Sequence, residues 1–160
     1  MSDKPQWRLG LVIERIPFES RWASHRWVPV AVIPDPGGEP SDVVEGDRLR
    51  RTFPGLVATV HLDEAEGYYL NTTSGETSLF ALLREDEATG EPAPLQVTLS
   101  YNEAARWMDA SERVERVPVD AALAEWLAAW VAGNYRPEKK ERQRPKSFKG
   151  KEGRLRARDA

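Results

Sequence analysis

The spacing of apolar residues changes once along this 160-residue chain, close to Ser100. Before that point apolar and polar residues alternate, and Leu9, Leu11 and Ile13 recur at every second position, as in a strand with one buried face. After it the apolar residues recur every three or four positions, which is typical of amphipathic helices. Strands that precede the helices, rather than alternate with them, predict an α+β fold with a mostly antiparallel sheet.

About five to seven strands are expected in this sheet. The runs predicted as strands are 7–16, 27–33, 56–62, 67–73, 78–84 and 95–100, with 112–119 as a connector or short strand. Residues 56–62 and 67–73 are predicted to pair as an antiparallel hairpin. Pro29 cannot donate a hydrogen bond to a neighbouring strand, which favours an edge strand or a bulge there. Segment 34–47 is rich in Gly, Pro and acidic residues and is predicted to be an exposed loop.

Two helices are predicted in the C-terminal half, packed with the sheet. Ser100 and Glu103 have the spacing of a capping box, which predicts a short helix over 101–110. One face of this helix would carry Tyr101, Ala105 and Met108. Asp120 is predicted to cap a second helix over 121–132. Its apolar stripe consists of Leu123, Trp126, Leu127, Trp130 and Val131.

The charge is distributed unevenly along the chain. Residues 136–160 contain eleven Lys or Arg and four Asp or Glu, whereas residues 1–135 contain twelve basic and 22 acidic residues. We therefore expect a single α+β domain at 1–135 followed by a basic tail at 136–160, disordered because it has few apolar residues. Such a tail can dock on an acidic protein, bind the phosphates of a nucleic acid, or simply aid solubility.

Several chemistries are disfavoured by what the sequence lacks. There is no cysteine, which excludes disulfides, thiolate metal ligands and a cysteine nucleophile. The sequence has no G-x-S-x-G nucleophile motif and no Gly-rich phosphate-binding motif. The first residues do not resemble a signal peptide, and the longest apolar segment is too short to cross a bilayer. The expectation is a soluble cytoplasmic protein without enzymatic activity, cofactor or membrane contact.

His61, Asp63 and Glu64 are the residues closest to a metal or acid–base pattern. A histidine beside a carboxylate can tune a base or start a metal site. A catalytic metal generally needs three protein ligands, and the only other histidine is His25. We interpret the group as an exposed polar strand end. The acidic residues of the 34–47 segment are likewise interpreted as solvated.

The stretch ESRWASHRWVPV, residues 19–30, is the densest in tryptophan, arginine and histidine. Trp27 begins a predicted strand and is expected in the core, whereas Trp22, His25 and Arg26 are expected on the loop that enters it. Three further arginines follow in GDRLRR, residues 46–51. Guanidinium groups bind carboxylates and phosphates with paired hydrogen bonds, so these arginines are candidates for an anion-binding or acidic-protein-binding face. The candidate binding residues are Trp22, His25, Arg26, Arg48, Arg50 and Arg51; the alternative is a structural corner beside solvated arginines.

The order of these segments resembles a bacterial family of unknown function numbered 3305, over about residues 8–145. The most specific pieces are Trp22, His25-Arg26-Trp27 with Pro29-Val30, and the segment from Ser100 to Ala104. Members of that family typically lie in gene clusters with molybdenum- or tungsten-dependent formate dehydrogenases, and some carry labels naming molybdopterin-guanine dinucleotide biosynthesis. The resemblance implies a role in making, maturing or regulating such an enzyme, and it implies no catalytic residues.

The residues disfavour the catalytic versions of that role. A nucleotidyltransferase should show a phosphate loop on a Rossmann-like unit, and sulfur transfer needs cysteine. The expectation is therefore a non-catalytic accessory protein that binds a formate dehydrogenase subunit or a maturation factor. Two alternatives stay open: a protein that binds molybdopterin-guanine dinucleotide or another anionic small molecule, and a protein that binds nucleic acid through its tail.

Overall fold

A computed structural model describes residues 4–17 and 25–137. Trp22 and most of the basic tail therefore lie outside the described residues. The described chain forms seven strands and three α-helices, which confirms the α+β prediction. In chain order the elements are β1 (Gln6–Pro17), β2 (His25–Pro34), β3 (Ser41–Glu45), β4 (Arg48–Thr59), a 3₁₀ turn (Leu62–Glu64), α1 (Ala65–Thr72), β5 (Ser78–Glu85), β6 (Pro92–Thr98), α2 (Tyr101–Asp109), β7 (Arg113–Pro118) and α3 (Ala121–Asn134).

The strands form two antiparallel sheets that enclose a common core. The first sheet has the strand order β2-β1-β4-β3 and the second has the order β6-β5-β7. The sheets approach each other along two seams, because β2 runs beside β7 and β4 runs beside β6. Leu11 and Ile13 of the first sheet pack between the sheets with Ala81, Leu83 and Val117 of the second.

Strand β1 supplies the inner face of the first sheet, as its alternation predicts. Leu9, Leu11 and Ile13 are all buried. Trp27, directly opposite Arg15 in the β1–β2 register, is partly buried and packs against the same core cluster, so it lies at the edge of the core rather than within it. Pro29 lies on an edge strand, and the register with β1 shifts by one residue beside it, so both features expected from this proline occur together.

Helix α3 closes the open end of the two sheets. The side chain of Asp120 accepts a hydrogen bond from the backbone N–H of Leu123 at 2.9 Å, as expected of a cap. Leu123, Leu127 and Val131 are buried. The two tryptophans of the predicted stripe make edge-to-face contacts, Trp126 with Trp7 and Trp130 with Tyr68.

Helix α2 begins where the capping box predicts. The hydroxyl of Ser100 accepts the backbone N–H of Glu103 at 3.0 Å. The return bond of a capping box is replaced, because the N–H of Ser100 donates to the hydroxyl of Thr98. The face that carries Tyr101 and Met108 is largely exposed, and Ala104 is the buried residue of this helix.

The predicted hairpin of 56–62 with 67–73 is wrong, because residues 65–72 form helix α1. Tyr68 and Asn71 are three residues apart and both are buried on the same side of the helix. Tyr68 accepts the backbone N–H of His61 at 2.9 Å, a contact that ties the helix to the end of β4. Tyrosine and threonine favour strands by propensity, and here tertiary packing overrides that preference.

The predicted loop over 34–47 is wrong in its second half, where residues 41–45 form β3. This strand pairs with β4, which begins at Arg48, through a two-residue turn at Gly46 and Asp47. Gly46 has a φ of +63°, and a glycine at the first position of a two-residue hairpin turn favours this conformation. Within the described residues, no helix is long and apolar enough to cross a membrane.

Candidate functional site

The outer surface of the first sheet carries two arginines that share one carboxylate. Arg48 Nη1 donates to Glu14 Oε1 at 3.0 Å, and Arg50 Nε donates to Glu14 Oε2 at 2.9 Å. Glu14 is buried, whereas the side chains of Arg48 and Arg50 remain 58% and 57% exposed. Each guanidinium has five N–H donors, so each has donors left to contact a partner.

Strand register decides which residues belong to this surface. Glu14 pairs with Arg50 and with Val28, while Arg15 pairs with Leu49 and with Trp27. Successive side chains alternate between the two faces of a sheet. Arg26 lies two residues before Val28 and therefore shares the outer face. We call the outward group of Arg26, Arg48 and Arg50 around Glu14 the arginine face.

Glu14 is held in its charged form by the two arginines. The hydrogen bond from Arg50 lowers the pKa of the Glu14 carboxyl most; burial opposes this shift, and the bond from Arg48 adds to it. In turn the bond to Glu14 raises the pKa of Arg50. The carboxylate thus keeps two like-charged guanidinium groups side by side at the surface.

The pH dependence of folding should report this arrangement. The folded pKa of Glu14 is lowered, so its contribution to stability is present above the ordinary carboxyl pKa of about 4.3 and is lost as pH falls through the folded value. We expect Glu14→Gln to lower the urea midpoint at pH 7 and the difference from the wild type to shrink steadily below about pH 4. Glu39→Gln, at an exposed loop position, is the control; equal effects of both variants at pH 7 would contradict the assignment.

Arg51 does not join the arginine face, although it follows Arg50 in the chain. Its guanidinium points to the other side of the sheet, where it forms hydrogen bonds of 2.8 Å with Asp42 and 2.7 Å with Glu91. These two carboxylates raise its pKa. The guanidinium also stacks on Trp27, 5.1 Å from the ring centre. Arg51 therefore ties β3 and the loop before β6 to the core.

The two remaining candidate binding residues, His25 and Trp22, are not part of the arginine face as the structure describes it. Strand alternation puts His25 on the side of β2 opposite to Arg26, at an exposed position. Trp22 lies outside the described residues. Of the six residues considered from sequence, three share the arginine face. Glu14 was not among them, because a single glutamate in a strand has no sequence signal until its cross-strand neighbours are known.

Of the three residues His61, Asp63 and Glu64, Glu64 is bound within the fold through its side chain. Glu64 accepts a hydrogen bond from the hydroxyl of Ser100 and another from Arg106, both at 2.6 Å. No set of three or more metal-ligating side chains occurs among residues 4–17 and 25–137. Ser100 is itself fully buried, so its hydroxyl joins α1 to α2 rather than facing solvent.

Two cavities lie away from the arginine face. An open polar groove of about 360 Å³ follows the seam between β4 and β6, and an apolar cavity of about 110 Å³ lies between the first sheet and α3. The groove is lined chiefly by Val57, Thr59, His61, Gln96, Thr98 and Glu103. The cavity is lined chiefly by Trp7, Val32, Pro34, Val119 and Leu123.

The PDPGGEP segment is a turn, as predicted. One carboxylate oxygen of Asp35 accepts the backbone N–H groups of Gly37 at 2.9 Å and Gly55 at 2.8 Å. These bonds lower the pKa of Asp35. Asp35 is therefore bound to the protein rather than solvated, and the glycine pair is part of a turn closed by this carboxylate.

Comparison with protein families finds one match that spans most of the chain. A family model described as a protein of unknown function (DUF3305) matches residues 8–144. Neither a curated protein nor a solved structure matches the chain.

Proposed function

We propose that this chain, which belongs to the DUF3305 family of proteins of unknown function, is a non-catalytic accessory protein that binds another protein through the arginine face. The observation that carries the proposal is the pair of Arg48 and Arg50, fixed by the buried Glu14 and still more than half exposed. Arginine is enriched in protein interfaces, and guanidinium groups that are already oriented lose less conformational freedom on binding.

The surroundings of the pair suit a protein surface rich in carboxylates. Val43 lies across from Arg50 in the β3–β4 register and is 58% exposed, so an apolar contact adjoins the charged one. Buried charge pairs need their remaining hydrogen-bonding groups satisfied, and bidentate carboxylates on the partner can do this for the free donors of Arg48 and Arg50. The partner should therefore present Asp or Glu side chains beside an apolar residue.

We further propose that the partner is a subunit or a maturation factor of a molybdenum-dependent formate dehydrogenase or a similar molybdoenzyme. This part rests on the gene clusters that the family resemblance implies. The proposed place of action is the cytoplasm.

The test is affinity capture from cells of the source organism grown on formate. We expect the wild-type chain to enrich a formate dehydrogenase subunit or maturation factor, and Arg48→Ala/Arg50→Ala to reduce that enrichment at least about tenfold, as the loss of two interface arginines should. Arg84→Ala is the matched control, because Arg84 is 56% exposed and paired with Glu112 on the other sheet. The role is refuted if no such protein is enriched, or if Arg84→Ala weakens capture as much as the double variant.

The alternative is that the arginine face binds an anionic small molecule such as molybdopterin-guanine dinucleotide. The free donors of Arg48 and Arg50 favour it, since arginine binds phosphate in a bidentate manner. Small-molecule sites are usually concave, however, and the two cavities described above are lined by other residues. A ligand of the folded state must raise the melting temperature, so unchanged Tm values with millimolar guanine nucleotides and pterins would remove this alternative.

A further inference from the structure

The groove between β4 and β6 lies where the edges of both strands become free at the same level. Strand β3 covers the edge of β4 only as far as Thr52, and Pro92 and Pro94 block the first part of the free edge of β6. The lining of the groove, which has a volume of about 360 Å³, begins at Gly55 on β4 and at Leu95 on β6. The two strands belong to different sheets. Two strand edges that no neighbouring strand of their own sheet covers therefore form the walls.

On the β4 side, the backbone of Val57 faces the groove. The N–H of Val60 donates to the carbonyl oxygen of Pro5 at 2.9 Å, so Val60 is bonded towards β1. In an antiparallel pair this direction alternates from one residue to the next. Val57, three residues before Val60, therefore directs its N–H and C=O away from β1 and towards the groove.

On the β6 side, the backbone of Val97 faces the groove in the same way. The N–H of Val119 donates to the carbonyl oxygen of Thr77, so Thr77 is bonded towards β7. By alternation Phe80, three residues further, is bonded towards β6, where its partner is Thr98. Val97, next to Thr98, then directs its N–H and C=O away from β5.

Glu103 supplies the groove with a carboxylate that is not used by the described part of the chain. In a capping box this side chain would accept the N–H of Ser100, but the hydroxyl of Thr98 accepts that N–H at 3.1 Å. The Glu103 carboxylate forms no hydrogen bond or ion pair with any of the residues 4–17 and 25–137. Glu103 is half-buried, and the described lining of the groove contains no lysine or arginine. A partly buried carboxylate without a partner favours the binding of a cation.

Apolar side chains on both walls favour a cation with an aliphatic stem. Val57 is 36% exposed and Leu95 is 53% exposed. Lysine and arginine lay their stems along such apolar surface while the charged end reaches a polar group. Arginine suits Glu103 better, because a guanidinium group can bond a carboxylate through two parallel hydrogen bonds.

We propose that this groove binds an extended segment of a partner protein, with an arginine side chain of that segment paired to Glu103. The backbone of the segment exchanges hydrogen bonds with the free groups of Val57 or Val97, as in strand addition. These backbone groups favour a peptide over a small amine, which would leave them without a partner. The groove takes a basic segment whereas the arginine face takes an acidic surface, so this proposal and the proposed function depend on different residues and can fail separately.

Nuclear magnetic resonance titration of the full-length protein tests the site with the probe peptide acetyl-Ser-Val-Arg-Val-Ser-amide. We expect the amides of Val57 and Val97 to shift on binding. The same peptide with citrulline, the neutral isostere of arginine, should bind at least about tenfold more weakly, because it loses a charge-assisted hydrogen-bond pair. Glu103→Gln should weaken binding of the arginine peptide by a similar factor and leave binding of the citrulline peptide unchanged. The citrulline comparison requires no change in the protein, so it decides the question even if Glu103→Gln disturbs α2.

Glu125→Gln is the matched control, because it makes the same charge change at an exposed position of α3 outside the groove. It should bind the arginine peptide as the wild type does. The proposal is overturned if the arginine peptide does not bind at millimolar concentration, if the arginine and citrulline peptides bind alike, or if the two glutamate variants weaken binding equally.

Two further results would identify a different occupant and overturn the proposal. Arginine amide that binds as tightly as the peptide would indicate a small cation. Without peptide, Glu103→Gln should leave the amides of residues 138–160 unshifted. Shifts there would indicate that the basic tail of the chain itself occupies the groove.

Discussion

Replacing Gly67 with alanine should lower the free energy of unfolding by about 3 kcal/mol, since a methyl group has no space at this point. A Cβ atom added to Gly67 would overlap the hydroxyl of Ser100. It would also lie 3.0 Å from the Cβ of Ser100 and 3.1 Å from the backbone nitrogen of Asn102. Ser100 cannot move aside freely, because its hydroxyl is bonded to both Glu64 and the N–H of Glu103. Helix α1 must therefore shift away from α2. Urea unfolding followed by circular dichroism measures the effect.

Gly133→Ala is the matched control for this prediction. Gly133 lies near the end of α3, and nothing stands within 4 Å of the position its Cβ would take. Alanine has the higher helix propensity, so we expect this variant to gain up to about 1 kcal/mol. The two substitutions are chemically identical, and their effects on the free energy of unfolding should have opposite signs. A loss of similar size in both would show that contact with Ser100 is not the cause.

Replacing Asn71 with alanine should cost about 4 kcal/mol, because three buried backbone groups lose their partner at once. The Asn71 side-chain nitrogen donates to the carbonyl oxygens of Ser78 and Leu99, both at 2.8 Å. Its oxygen accepts the N–H of Ser78 at 3.0 Å. Asn71 is fully buried, so water cannot replace these bonds without a rearrangement of α1, β5 and the end of β6. The same urea titration measures the loss.

Asn102→Ala provides the comparison for this second variant. The Asn102 side chain donates to Glu66 at 3.0 Å, and that bond is exposed to solvent. Water can replace an exposed partner, so the expected change is within about 0.5 kcal/mol. Equal losses from Asn71→Ala and Asn102→Ala would contradict the view that burial of the unpaired backbone groups decides the cost.

The elements that could be predicted from sequence are those whose apolar pattern is decided locally. Leu9 and Leu11 alternate through β1, and Leu123 and Leu127 repeat through α3, so period alone identifies each element. Helix α1 was missed because its position depends on contacts far along the chain, of Tyr68 with Trp130 and of the Asn71 amide with Leu99. Strand β3 was missed because acidic, exposed residues around two valines read as a loop.

In the candidate site, too, local features could be predicted from sequence, whereas features that depend on strand register could not. The arginines at 48, 50 and 51 could be recognised as a cluster from their closeness in the chain, but this closeness does not say which of them share a face. Glu14 could not be assigned to them, because the β1–β4 register that brings them together joins segments more than 30 residues apart. The start of β4 was also unknown, and without it the separation of Arg51 from Arg50 could not be anticipated.

The division of the strands between two sheets has a consequence for synthesis of the chain on the ribosome. The first sheet is complete once residue 59 has emerged, whereas its covering sheet begins only at residue 78 and α3 comes later still. Until then the apolar inner face of β1, with Leu11 and Ile13, lacks the residues that bury it. Nascent chains of intermediate length therefore expose a sheet surface that favours aggregation, and the domain is expected to reach its stable form only after α3 has packed on Trp7.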